Sequence, residues 1–207
     1  SNPSRPVQFI KVMGHEETSS EGTSYLNLDE ALYTVKLVQY LMKLGVKAKQ
    51  IGVLSSYKGQ KKLIAKSLAK VELGDVECES VNTFQGREKD YIVYSCVRSN
   101  SQNAIGFSSD MKRLNVVLTR AKYGLFLIGN PVCMCGDVNW MNYIKYNFEN
   151  AQVVEGQPGQ WSLVKELCCV CGTKPLQVRH FVLVLRGLAV LTLALLRGFL
   201  IRFGVGF

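Results

Sequence analysis

Runs of consecutive apolar residues recur along this chain at intervals that helices can fill, and nothing else in the sequence narrows its fold as much. Ile51-Gly52-Val53-Leu54, Tyr91 to Val97 and Gly124 to Ile128 are largely apolar on both faces of an extended segment. A strand that is dry on both sides needs cover on both sides, which a parallel sheet with helices against each face supplies. Val7 to Val12, a β-branched run between Pro6 and Gly14, reads as an opening strand, and Glu77 to Val81 as another. Between the strands, Leu28, Ala31, Leu32, Val35, Val38, Leu41 and Met42 fall at helical spacing. Lys61 to Lys70 and Asp110 to about Ala121 read as further helices, and the polar stretch Gly14 to Ser24 as loop. The expected fold is a doubly wound α/β domain on a mostly parallel sheet, covering residues 6 to about 150.

The first helix has legible ends. Asn27 stands three residues ahead of Glu30, the spacing of a capping box in which the Asn side chain accepts a backbone N–H and the Glu reaches back. Gly45 sits where a left-handed residue releases the chain.

Charge and cysteine content restrict the function classes. The formal charge of +9 invites a nucleic-acid reading, since Lys and Arg that neutralise phosphates release counterions. All the acidic residues lie at or before Glu166, and Lys174, Arg179, Arg186, Arg197 and Arg202 come after it. Residues 1–167 therefore carry 20 basic and 16 acidic side chains, only +4. The 7 cysteines are odd in number and no secretory signal opens the sequence, so a reducing compartment is expected. Cys133-x-Cys135 and Cys169-x-Cys171 lack the spacing of common zinc modules, and no metal site is expected there. Beyond Glu166 the texture changes to an apolar stretch broken by arginines. Its longest charge-free run, Gly187 to Leu196, is about half of a bilayer span, so no membrane helix is expected. The expected division is a domain over 1–167 and an atypical tail over 168–207, disordered or translated from an intron or shifted frame.

Three segments set polar residues beside apolar strands, and ligands of open α/β sheets bind at the carboxyl ends of the strands. Ser55-Ser56-Tyr57-Lys58-Gly59-Gln60 offers hydroxyls, an amide, a glycine and a ring that could stack on a base; an ordinary turn with Tyr57 as core filler explains it equally well. Ser80-Val81-Asn82-Thr83-Phe84-Gln85-Gly86-Arg87-Glu88-Lys89-Asp90 joins an apolar strand end to a charged loop, and a solvated loop accounts for Arg87 to Asp90 but not for Phe84-Gln85-Gly86. In Arg113-Leu114-Asn115-Val116-Val117-Leu118-Thr119-Arg120-Ala121-Lys122, two helical turns bring Arg113 and Arg120 near one face. Arginines so placed usually face water, yet the planar guanidinium is also the favoured partner of polyphosphate.

Phe84-Gln85-Gly86-Arg87-Glu88-Lys89-Asp90, Cys96-Val97-Arg98-Ser99, Ile105-Gly106-Phe107, Arg113-Leu114-Asn115-Val116, Leu118-Thr119-Arg120-Ala121 and Gly129-Asn130-Pro131, in this order, closely resemble the C-terminal RecA-like motor lobe of the up-frameshift-like superfamily 1 RNA/DNA helicases. The likeness extends upstream through Gly22 to Asn27 and Gln50 to Gln60, covers about residues 5–167, and is nearer to the nonsense-mediated-decay member than to senataxin-like helicases. It implies a domain that closes with an N-terminal RecA-like lobe on ATP and Mg²⁺ and passes single-stranded RNA or DNA, in a cytoplasmic setting among mRNA-decay factors. It implies that Arg120 is an arginine finger, a catalytic group, that Glu88 and Gly86 contact nucleotide, and that Ser55, Tyr57, Ser80, Thr83 and Gln85 meet the nucleic acid.

The sequence departs from the family pattern at Ser55, where Thr is usual, at Ser56, where Pro is, at Lys58, a frequent Glu, and at Asn82, where an amide replaces a carboxylate. No Gly-x-x-x-x-Gly-Lys-Ser/Thr occurs, and Asp29-Glu30 opens a helix where a Walker B pair must end a strand. The phosphate-binding parts are thus expected on an absent first lobe, and Mg²⁺ mainly with them. The competing readings are a stand-alone nucleic-acid-binding module without catalysis, a senataxin-like fragment, and a degenerate, unexpressed copy.

Overall fold

The structure, a computed structural model, describes residues 7–20, 22, 24–167 and 176–177. Except for Leu176 and Gln177, the tail expected over 168–207 lies outside the described residues. In chain order, β1 (Val7–Lys11) leads to β2 (Glu16–Thr18), β3 (Tyr25–Asn27) and α1 (Leu28–Lys43). Then come β4 (Ile51–Ser55), α2 (Lys58–Ala69), β5 (Glu77–Ser80), β6 (Lys89–Ser95), α3 (Met111–Thr119) and β7 (Ala121–Gly129). The remaining elements are α4 (Pro131–Met134), α5 (Val138–Glu149), β8 (Val153–Gln157), β9 (Gln160–Leu163), and a short antiparallel pair, β10 (Glu166–Leu167) with β11 (Leu176–Gln177).

The seven-stranded sheet has the order β5-β4-β6-β7-β1-β8-β9. Every neighbouring pair is parallel except β8 with β9, which closes the sheet as an antiparallel hairpin. This is the expected RecA-like α/β architecture. The continuous apolar runs occupy the inner strands: Ile51, Val53, Leu54, Ile92, Val93, Leu127 and Ile128 have no exposed surface. Each such aliphatic side chain contributes ~1.5–3 kcal/mol through burial. All parallel strands point one way, so the sheet has a carboxyl edge, where Ser55, Ser80, Ser95 and Gly129 lie, and an amino edge, where Lys89 and Ala121 lie.

Helix α1 buries Ala31, Val35, Val38 and Leu41 against this core, whereas Leu28 and Leu32, which share its spacing, are each 48% exposed. Its end matches the expectation. Gly45 has φ +91°, its N–H donates to Met42 O (2.9 Å), and Val46 N–H donates to Leu41 O (3.2 Å), the bond pair of a Schellman cap.

Local expectations fail in three places. The stretch Gly14 to Ser24 is not all loop, because β2 pairs antiparallel with β3. Helix α2 starts at Lys58, three residues ahead of the expected start at Lys61. Gln60 draws it back: its Oε1 accepts from Asn27 N (2.8 Å) while its Nε2 donates to Asn27 O (3.0 Å), a long-range pair that periodicity does not reveal. The capping box is also half-made. Asn27 Oδ1 accepts from Glu30 N (3.1 Å), but the Glu30 carboxylate turns inward to bonds described below.

Candidate functional site

The segment from Ser80 to Lys89 is the structural centre of the site, since it leaves the carboxyl end of β5 and enters the amino end of β6. It crosses the sheet. Its midpoint is pinned by Phe84, which is fully buried. Gly52 in β4 makes the room, because a Cβ there would stand 3.0 Å from Ile92, 3.1 Å from Lys89 and 3.3 Å from Phe84. Gly86 has φ +78°, a left-handed conformation that glycine adopts without steric cost. Arg87 then folds back with its guanidinium 5.0 Å from the Phe84 ring centroid and pairs with Glu77, which also takes Lys89 Nζ at 3.1 Å.

Glu88 and Arg120 come together at the amino edge. Lys89 pairs in register with Ala121, so the residue before each strand lies beside the other. Lys89 N donates to Arg120 O (3.1 Å), and Arg120 Nη1 donates to Arg87 O (3.4 Å). The Arg120 guanidinium is steadied by Thr119 Oγ1, which accepts from Nη2 (2.9 Å) and Nε (3.3 Å). Glu88 pairs with Lys122 at 2.7 Å, with the side chains 60% and 43% exposed, and this hydrogen bond raises the Lys122 pKa. The expectation that all three segments gather at the carboxyl edge is therefore corrected. A loop that enters a parallel strand must sit at its amino end, and Gly86, Glu88 and Arg120 all do. Nor does Arg113 join them: it is held at the start of α3 by Asp110 (3.6 Å) and by the Phe107 ring.

Of the remaining predicted residues, Ser55, Tyr57, Ser80 and Thr83 lie at or just past the carboxyl ends of β4 and β5, Gln85 follows Phe84 on the crossover, and they divide by exposure. Ser80, Thr83 and Gln85 reach the surface, where Thr83 Oγ1 and Ser80 Oγ share a hydrogen bond of 3.0 Å. Thr83 Oγ1 also donates to Glu79 (2.9 Å), and the hydrogen bond from Lys61 holds the Glu79 carboxyl below its ordinary range. Ser55 and Tyr57 are 1% and 2% exposed. Ser55 Oγ donates to Ser95 O (3.2 Å), and Tyr57 OH donates to Ile105 O (2.9 Å). A base cannot stack on a covered ring, so the side-chain contacts expected of Ser55 and Tyr57 give way to structural ones.

Sequence reasoning missed a buried charged network behind this edge. Glu30 is wholly buried and its Oε2 accepts from Ser95 Oγ (2.6 Å) and Val97 N (2.8 Å). Gln60 Nε2 donates to Ser95 Oγ (2.9 Å), linking α2 to the same cluster. Burial pushes the Glu30 carboxyl up to about 8 despite these donors. Val97, at φ +74°, takes a conformation costly for a β-branched residue, and the bonds to Glu30 and from Asn27 Nδ2 to Val97 O (3.2 Å) hold it there. The turn delivers Arg98 to Glu16, at 2.9 Å and 3.0 Å through two nitrogens. Burial alone would raise the Glu16 carboxyl, but donors from Arg98, Asn100 and Ser99 bring it below its ordinary value. The one available signal was a carboxylate three residues after a cap, which reads more simply as half of a capping box.

A mostly parallel seven-stranded sheet flanked by helices is the architecture of a RecA-like α/β domain. Residues 1–132 match the family described as an AAA domain. The chain is 46% identical over 160 residues to the regulator of nonsense transcripts 1 homolog of Neurospora crassa, which covers 74% of this chain and 15% of that protein. It is 46% identical over 157 residues to the ATP-dependent helicase NAM7 of Saccharomyces cerevisiae, covering 73% and 16%, and 41% identical over 160 residues to the ATP-dependent helicase upf1 of Schizosaccharomyces pombe, covering 74% and 17%. The chain belongs to this AAA domain family, as an up-frameshift-like superfamily 1 helicase sequence. It spans about one sixth of the length of these relatives. Among the described residues, no helix is long and apolar enough to cross a membrane.

Proposed function

We propose that this chain is the second motor lobe of an ATP-dependent RNA/DNA helicase of nonsense-mediated mRNA decay, acting in the cytoplasm with an N-terminal RecA-like lobe, single-stranded RNA or DNA and mRNA-decay factors. Residues 1–167 form the lobe in this reading. The observation that carries it is the meeting of Glu88 and Arg120 on the amino edge, at the end of a crossover whose other end lies at the opposite edge. Arg120 serves as the arginine finger. Its guanidinium is partly exposed, is steadied by Thr119, and has five N–H donors, so it can still reach an anion brought from outside. Such a finger is worth ~10³–10⁵ in rate in phosphoryl transfer. Glu88 and Gly86 line the nucleotide side, and Ser80, Thr83 and Gln85 the strand side.

The residues fit part of a nucleotide site, since a fixed cation and a carboxylate stand together on an accessible edge. ATP, when bound, supplies the phosphoryl group whose developing charge Arg120 stabilises. In this reading Mg²⁺ takes its protein ligands mainly from the N-terminal lobe, where the family resemblance puts the phosphate-binding loop. The test is a chimera in which this chain replaces the matching segment of NAM7. ATP hydrolysis should be retained there and abolished by Arg120→Ala, while the chain alone should hydrolyse none. Robust turnover by the isolated chain, or a chimera indifferent to Arg120→Ala, rejects the assignment.

A further inference from the structure

With Tyr57 covered, the ring that the carboxyl edge offers to solvent is Phe107, which is 62% exposed. Its ring lies 6.1 Å from that of Tyr57, which meets Tyr25 edge-on at 5.8 Å, so Phe107 is the outermost of three rings rooted in the fold. The seat beneath it is built with care. Tyr57 OH donates to Ile105 O (2.9 Å), just before the short helical turn that carries the ring, and Trp140 Nε1 donates to Ser108 O (2.7 Å), within it. Gly106, at φ +53°, permits this seat, because a Cβ there would stand 2.5 Å from Arg98 Nη1.

A single exposed apolar residue is ordinary. Phe107 differs in standing at the strand-carboxyl edge with a cation over one face of its ring, the Arg113 guanidinium lying 5.1 Å from its centroid. Asp110 is the nearby carboxylate, but it accepts from Lys112 N (2.9 Å) at the start of α3 and also pairs with Arg113 (3.6 Å). A π-face beside a fixed guanidinium is complementary to a nucleotide, whose base stacks while its phosphate meets the cation. An apolar protein partner would use the ring but would bury the Arg113–Asp110 pair without offering the guanidinium a further acceptor.

We propose that Phe107, flanked by Arg113, is the stacking platform for an unpaired base of a single strand crossing the carboxyl edge. This rests on the reading of that edge as the nucleic-acid side. The test uses the whole 207-residue chain at low salt, with labelled oligoadenylate and an abasic oligomer of equal length as probes. Phe107→Ala should weaken oligoadenylate binding roughly tenfold and leave the abasic oligomer unchanged, base–aromatic stacking being strong enough for that factor. Phe107→Trp should preserve binding, and Phe107→Leu should behave like the alanine variant. Wild-type binding that survives Phe107→Ala overturns the platform and leaves the ring to a protein contact; equal weakening on both probes, or a leucine as good as phenylalanine, also overturns it. If the wild-type chain binds neither oligomer, the nucleic-acid reading of the edge falls, and the platform with it.

Discussion

Behind the carboxyl edge of the sheet, Glu16 and Arg98 are buried and bonded into the fold; at the amino edge, Glu88, Lys122 and Arg87 are exposed and bonded to neighbouring charges. Both edges use arginine and glutamate. Glu16 and Arg98 have side chains only 12% and 8% exposed, with Ser99 and Asn100 adding donors to the same carboxylate. Glu88, Lys122 and Arg87 stand 60%, 43% and 48% exposed. The contrast teaches that a charge in a helicase-like motif can serve either the architecture or a partner, and that burial separates the two. A buried, fully bonded charge costs several kcal/mol to uncouple and has nothing left to offer a ligand. An exposed pair contributes little to stability and can exchange its partner.

The largest expected effect lies at the amino edge and is purely functional. In the NAM7 chimera, Arg120→Ala should lower ATP turnover by ~10³-fold or more while stability shifts by less than ~0.5 kcal/mol; a large loss of stability would place Arg120 with the architectural charges. The next effect is at the carboxyl edge and is purely structural. Arg98→Ala strands the Glu16 carboxylate and should cost ~3 kcal/mol in urea unfolding, and a cost near zero would show that this edge is as loosely held as the other. A third, smaller effect separates the edges by pH. The folded-state carboxyl of Glu30 titrates at about 8, above its ordinary value of 4.5, so its contribution is fully present below pH 4.5 and is lost as pH rises through 8. Thermal melting should therefore fall across that window, and Glu30→Gln should flatten the fall; an unchanged slope would mean that Glu30 is ionised in the folded chain at little cost. The smallest effect returns to the amino edge, where Lys122→Ala should leave the melting temperature unchanged within error, since a measurable drop would blur the distinction between the two edges.

The sheet could be read from the sequence because burial on both strand faces leaves a continuous apolar run, as in β4, β6 and β7. The helix ends at Asn27 and Gly45 were legible for a similar reason, since cap chemistry is local. What could not be read depends on distant partners. Gln60 belongs to a helix because of Asn27, which lies 33 positions away, and Glu30 is buried because Ser95 and Val97 meet it from 65 and 67 positions away. In the candidate site, the family resemblance implied nucleotide roles for Glu88 and Arg120 but not which edge holds them, since edge follows from strand direction. The sequence singled out Tyr57 as a ring that could stack and could not tell that Tyr57 is covered while Phe107 stands above it, because exposure is a property of the assembled rings.

The empty space at Gly52 has a reach beyond β4. It decides where the Phe84 ring can anchor, and through that anchor how far apart the two ends of the crossover are held, although only one of them, Lys89, lies beside the glycine. A methyl group at position 52 would press on Ile92, Lys89 and Phe84 together, at 3.0–3.3 Å. Harm in the middle of the sheet would then surface as simultaneous misalignment at both margins, a lesion with two symptoms and no exposed cause.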